Sequence, residues 1–218
     1  MDRDELVARC IEANDDVEPR HAIREVLKRA IADRALNDSL RGATAGIELL
    51  YNTPELTVIN VIWPPHVSLF PHNHLMWAAI GLYGGQEDNA FYRRSDVGLS
   101  MAGGRELRTG DVALLGKDTI HAVTNPLRTY TGAVHVYGGD LPACQGRSEW
   151  DNQTFEELEF DFDRTVRYFE DANDLASALR CYTQAFRSAP TSVLAIHQDD
   201  NWMVMALKRD QIERRKEN

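Results

Sequence analysis

Between residues 45 and 140 the chain breaks into short runs rich in β-branched and aromatic residues, punctuated by Gly and Pro. The runs are Ile47–Tyr51, Glu55–Trp63, Leu75–Tyr83, Asn89–Arg94, Asp111–Leu115 and Tyr130–Tyr137. Between them lie Pro64-Pro65, Gly84-Gly85, Gly103-Gly104, Asn125-Pro126 and Gly138-Gly139, all turn formers. Many short strands at close spacing fold into a sandwich or a closed barrel, so the middle of the chain is predicted to be mainly β.

The flanks follow a different period. Residues 1–44 read as N-terminal helices. Leu6, Val7, Cys10 and Ile11 share a helical face behind Asp2, a plausible cap. Pro19 suits the first turn of a second helix, with an apolar stripe at Ile23, Val26, Leu27, Ala30 and Ile31. Residues 141–218 read as a C-terminal extension with helices. One is marked by Leu175, Ala178, Leu179, Tyr182, Ala185 and Phe186 and stopped by Pro190; another is expected from Trp202 to Lys216. The 218 residues suit a single domain, with the barrel at 45–140.

The net charge of −10 disfavours nucleic acid and anionic membrane as partners. The apolar stretch Leu56–Trp63 contains Asn60 and is too short to span a bilayer. The charged start, Met1 to Glu5, has no apolar secretory core. Cys10, Cys144 and Cys181 lie far apart without metal-type spacing, and read as reduced thiols of a cytoplasmic protein.

Chemistry concentrates on histidine. If the segment is extended, His72 and His74 point to the same side, and imidazole is the commonest protein donor to Fe, Zn, Cu and Ni. A second segment, Gly110-x5-Gly116-x-Asp118-x2-His121-x3-Asn125, resembles the second motif of the cupin superfamily (RmlC-like), Gly-x5-Pro-x-Gly-x2-His-x3-Asn. Its spacing matches throughout, with turn formers Gly116 and Asp118 in place of Pro and Gly. The first cupin motif is matched by His72, His74 and Gly85. His66 stands for its first Gly, and Ala78 or Ala79 for its metal-binding Glu. The resemblance covers roughly residues 47–138. It implies a cupin double-stranded β-helix, a jelly-roll barrel with flanking N- and C-terminal α-helices and a metal inside.

A narrower resemblance, to the cysteine dioxygenase-like thiol dioxygenases, rests on Trp63, His72-Asn73-His74, His121 and Ala133-Val134-His135-Val136-Tyr137. It implies His72, His74 and His121 as ligands of Fe(II), with Ni or Zn as substitutes. His135 and Tyr137 would form an outer hydrogen-bond pair beside the metal. The residues alone also admit His135 as third ligand, with His121 outside. Ala133 stands where the family's relay begins with Ser. Tyr51 fits the family's early Tyr, but Asn52 and Thr53 do not supply its carboxylate-binding Arg. Cysteine is therefore disfavoured as substrate, and Arg93, Arg94 or Arg128 are the candidates for holding a carboxylate.

Without an acidic ligand, three neutral histidines leave Fe(II) its full charge, open to an anionic donor such as a thiolate. The expected activity is oxidation of a small mercaptocarboxylate-like thiol by O2 to its sulfinate. The alternatives are C–C cleavage of a diketone or aromatic diol, or a non-enzymatic cupin that binds metal and a small molecule. Partners would then be a small-molecule thiol and O2, with no nucleic acid or membrane, and edge strands leave room for a homodimer.

Overall fold

The computed structural model describes residues 1–96, 98–186, 191–198 and 201–208, with side-chain surroundings as far as residue 174. It divides into two compact units, residues 1–173 and 174–218.

Three helices open the first unit. Asp2 caps α1 (Arg3–Asn14), its carboxylate accepting from the Glu5 amide at 2.8 Å. Pro19 begins α2 (Pro19–Ala32), whose Ile23, Leu27, Ala30 and Ile31 are buried as the apolar stripe requires. Asp33 caps α3 (Arg34–Leu40) by accepting from the Leu36 amide.

The strands are β1 (Gly46–Asn52), β2 (Thr57–Trp63), β3 (Ser68–Asn73), β4 (Ala78–Gly84), β5 (Gln86–Ser95), β6 (Gly98–Arg108), β7 (Val112–Leu115), β8 (Ile120–Thr124), β9 (Thr131–Tyr137), β10 (Ser148–Trp150) and β11 (Glu157–Glu159). They form two antiparallel sheets, ordered β1-β2-β9-β4-β7 and β11-β10-β3-β8-β5-β6.

The central strands of the first sheet, β2, β9 and β4, are buried on both faces, which is why they read as continuous apolar runs. On its inner face, Ile59, Val61, Trp63, Ala78, Ile80, Leu82, Ala133 and Tyr137 enter the barrel core. On its outer face, Val58, Ile62, Ala79, Tyr83, Val134 and Val136 pack against the helices. At Gly81 a side chain would meet Ile31 and Leu27 at 3.1 and 3.3 Å, so the missing Cβ lets α2 lie close to β4.

Six runs named from sequence fall on β1, β2, β4, β5, β7 and β9. The run pattern did not flag β3, β6, β8, β10 or β11. In β3, Pro71 lies where the pairing with β8 shifts register between Leu69 and His72. Proline is tolerated at such an irregularity but masks the strand in the sequence.

In the second unit, α4 (Phe162–Phe186) enters from the first and covers the helix expected from Leu175 to Phe186. The helix expected from Trp202 is corrected: β12 (Thr191–Gln198) and β13 (Asn201–Lys208) pair antiparallel, Gln198 opposite Asn201 and Thr191 opposite Lys208. Residues 202–207 are apolar throughout, so they satisfy helical and strand spacing equally. The neighbouring strand, with its β-branched Val193 and Ile196, decides the matter. The tail's basic cluster, Arg214 to Lys216, lies outside the described residues, as do the side chains of Cys181 and His197.

Candidate metal centre

Cross-strand register builds the centre. His72 on β3 lies directly opposite His121 on β8, and His121 lies opposite Phe91 on β5. His74 follows β3 by one residue past its end, on the same side as His72. One ring nitrogen from each of His72, His74 and His121 lies within 4.8 Å of the others, and all three residues are buried. Ring centroids are 4.7–5.0 Å apart. His135 lies outside this group of three, although it lines the same cavity.

Neighbours fix the rings. His72 Nδ1 lies 3.0 Å from the Phe70 carbonyl, and a carbonyl can only accept, so Nδ1 carries the proton and Nε2 has the lone pair. His121 Nδ1 lies 2.7 Å from Asn89 Oδ1, which leaves Nε2 buried with no partner. His74 Nδ1 is likewise buried and unpartnered. Burial pulls the His72 pKa down to about 4, despite the opposing Phe70 bond. Burial, and then the neighbouring histidines, push His74 and His121 well below the ordinary value. Three neutral imidazoles with unpartnered nitrogens converge on one point, which is the donor set that Fe, Ni or Zn takes. The residues present therefore fit a resident metal ion.

Among the described residues no carboxylate joins the ring of donors. Ala78 and Ala79, at the position of the family's ligand Glu, are fully buried on opposite faces of β4. Asn125, the last residue of the second motif, holds a loop instead. Its amide nitrogen donates to the Trp63, Pro64 and Thr129 carbonyls, and its oxygen accepts from the Leu127 amide and the Thr131 hydroxyl.

Tyr137 packs edge-on to His74 with centroids 5.0 Å apart. Its hydroxyl lies 3.0 Å from His135 Nδ1, so the two share a face of β9, as i and i+2 must. Tyr51 packs instead with the core against the helices. Arg93, Arg94 and Arg128 are exposed, and Arg94 pairs with Glu157.

Sequence reasoning missed Arg147. It is 7% exposed, and it lines the cavity with the four histidines and Tyr137. Its Nε donates to the Asn73 carbonyl at 3.0 Å, and its guanidinium lies 3.7 Å from the centre of the Phe160 ring. No carboxylate pairs with it among the described residues, and burial lowers its pKa from the ordinary arginine value. Asn73, between two of the histidines, also accepts from the Ser148 amide, so one residue ties β10 and Arg147 to His72 and His74. Asn73 stands out in the sequence only as the residue between the paired histidines, and nothing local links it to a residue 74 positions later.

The other cavity walls are mostly apolar, with Ile47, Ile59, Leu69, Val123, Leu141 and Phe160 among them. The cavity volume is about 50 Å³.

No protein family and no curated protein matches this chain. Solved structures do resemble it. One is a Bacillus halodurans protein at 15% identity, covering 47% of this chain and 76% of that one, with a TM-score of 0.43. An RmlC-like cupin family protein with a double-stranded β-helix fold, from Methanocaldococcus jannaschii, is 11% identical over 46% and 85%, with a TM-score of 0.37. A Klebsiella pneumoniae protein with a double-stranded β-helix domain is 14% identical over 48% and 82%, with a TM-score of 0.39. The fold is a cupin double-stranded β-helix. That conclusion follows from the two facing sheets and their strand order, and at such identities it says nothing about the reaction. No helix among the described residues is long and apolar enough to cross a membrane.

Proposed function

We propose that this protein is a mononuclear Fe(II) dioxygenase that adds both atoms of O2 to the sulfur of a small mercaptocarboxylate. The thiol RSH and O2 become the sulfinic acid RSO2H, with sulfur oxidised and O2 reduced. The observation that carries this reading is Arg147, a buried cation without a carboxylate partner among the described residues, lining a cavity whose metal-donor set is three neutral histidines.

His72, His74 and His121 would hold the iron, which supplies the one-electron steps that let O2 react. Arg147 supplies what Asn52 and Thr53 do not, a fixed positive charge for the carboxylate of a substrate whose sulfur lies at the histidines. Tyr137 and His135 sit beside that point and orient the substrate or move its proton. The apolar walls exclude bulk water and strengthen each of these polar contacts.

Charge favours this reading over cleavage of an aromatic diol. An aromatic diol has no carboxylate to meet the buried Arg147 guanidinium that lines the cavity. A non-enzymatic cupin that binds a small acid at a Ni or Zn site is the remaining reading, and Arg147 would serve it equally.

Oxygen uptake decides between them. Protein loaded anaerobically with Fe(II) is mixed with a panel of small thiols, 3-mercaptopropionate among them, and with diketones and catechols. Thiol-dependent uptake with sulfinate as product is expected, and uptake with a diketone or catechol alone would replace the thiol reading. No uptake by iron-loaded protein would leave the binding module. His121→Ala should lose metal while His135→Ala keeps it; full metal content in H121A would overturn the ligand set.

A further inference from the structure

Glu87 is fully buried, and no lysine or arginine among the described residues pairs with it. Burying a carboxylate is costly unless its lone pairs are met. Here Oε2 accepts from the Trp63 indole at 3.0 Å, and Oε1 accepts from the Asn89 amide at 3.1 Å. His135 Nε2, 3.7 Å from Oε2, lies beyond hydrogen-bond reach. Asn89 is itself buried, and its Oδ1 lies 2.7 Å from Nδ1 of the metal donor His121.

Strand geometry explains the grouping. Glu87, Asn89 and Phe91 alternate along β5, so they share a face. Phe91 lies opposite His121 in the register with β8, and its ring stacks on the imidazole at 12°, with centroids 6.4 Å apart. Asn89 is the diagonal neighbour, close enough to reach the edge of that imidazole.

An asparagine amide can turn either end to a neighbour, so the groups around it decide. The Trp63 N–H only donates, and a carboxylate only accepts. Glu87 accepts at both oxygens, and Asn89 therefore turns its NH2 group toward Oε1. The Asn89 oxygen is left facing His121, which donates to it from Nδ1. A neutral imidazole has one N–H, so Nε2 keeps its lone pair. Nε2 is the buried nitrogen of this ring that has no partner.

We infer that Glu87, acting through Asn89, fixes His121 as a metal donor. The acidic residue missing from the ring of donors is in this way present one step behind it. Glu87 touches neither metal nor substrate, so it is a positioning residue. The inference rests on His121 being a ligand, as proposed above, and is independent of the thiol.

Glu87→Gln tests the order with almost no change of shape. The Trp63 N–H needs an acceptor, so the substituted carbonyl faces it and the substituted NH2 faces Asn89. Asn89 then turns its oxygen to that NH2 and its own NH2 to His121. His121 must accept at Nδ1 and carry its proton on Nε2, the nitrogen a metal would take. Metal-free protein labelled with 15N-histidine is examined at neutral pH by long-range 1H–15N spectra. Ring signals are assigned by their loss in His121→Gln and His72→Gln. In the wild type, His121 should show a protonated Nδ1 and a bare Nε2; a proton on Nε2 overturns the inference. In E87Q the His121 pattern should reverse, while His72, held by the Phe70 carbonyl, keeps its own. The Zn(II) dissociation constant, measured by chelator competition, should rise about 10- to 100-fold. A folded E87Q with an unchanged His121 tautomer, or with unchanged zinc affinity, overturns the inference and leaves Glu87 as a structural tie between β5 and β2. Changes at His72 as well as His121 would mean a general loosening and overturn it too. If E87Q fails to fold, the wild-type spectrum still decides. Failure of the ligand set shows separately, as full metal content in H121A.

Discussion

At the residue scale, the centre is defined as much by its partners as by its histidines. His72 and His121 each have one ring nitrogen held by a neighbour, which turns the other toward the common point. Arg147 is the residue whose removal separates substrate readings. Replacing it by Met keeps much of the apolar contact with Phe160 and deletes the charge. A charge-assisted hydrogen bond contributes about 1.5–3 kcal/mol. R147M should therefore raise KM for 3-mercaptopropionate by roughly 10- to 100-fold, and barely change it for a thiol of the same length without a carboxylate. Equal effects on both substrates, measured by initial rates, would remove Arg147 from carboxylate binding. His72 with His74, and His135 with Tyr137, could be paired from sequence, because i and i+2 on a strand fixes a shared face, whereas His121 was named from resemblance to the second cupin motif. Arg147 and Glu87 could not. Glu87 sits in the run Gln86-Glu87-Asp88, which reads as solvated surface, and only the inward turn of β5 buries it.

At the element scale, loops are pinned by buried side-chain amides. The turn after β8 depends on Asn125, which makes five hydrogen bonds, three of them to backbone carbonyls. Asn125→Ala would strand those buried groups at about 1–3 kcal/mol for each left unsatisfied. The variant should melt several degrees lower while keeping its metal donors, a result that thermal denaturation and metal analysis together would show. Loss of metal without loss of stability would mean that Asn125 acts on the centre itself. Most long strands were legible because β2, β4 and β9 are buried on both faces. Strands that carry the donors, β3 and β8, were not, because Pro71 and the polar histidines break the apolar run. In β13 the reverse happened, and an unbroken apolar run gave no period to read.

At the scale of the whole molecule, burial holds His72, His74 and His121 in the neutral form, and this makes stability depend on acid. The His72 pKa lies near 4 in the folded chain against 6.5 for the free residue, with His74 and His121 also lowered. The unfolded chain therefore binds more protons below pH 6.5. The contribution of His72 is fully present above pH 6.5 and is lost as pH falls through that value toward 4. For His72 the loss is about 3 kcal/mol, and the other two histidines act in the same direction. Denaturant midpoints of the metal-free protein should drop across this window, and a flat profile would contradict burial of neutral imidazoles. By itself the sequence determined local character: a helical stripe from Ile23 to Ile31, short β-branched and aromatic runs through the barrel, and two histidines on one face at His72 and His74. Those are local properties, since backbone geometry alone carries side chains at fixed spacing to one side. Only the tertiary structure decided what each face meets. It set His121 opposite His72, brought Arg147 to Asn73 from 74 positions away, and buried Glu87 beneath His135. Such contacts depend on sheet register and on the packing of two sheets, and no short stretch of chain encodes either.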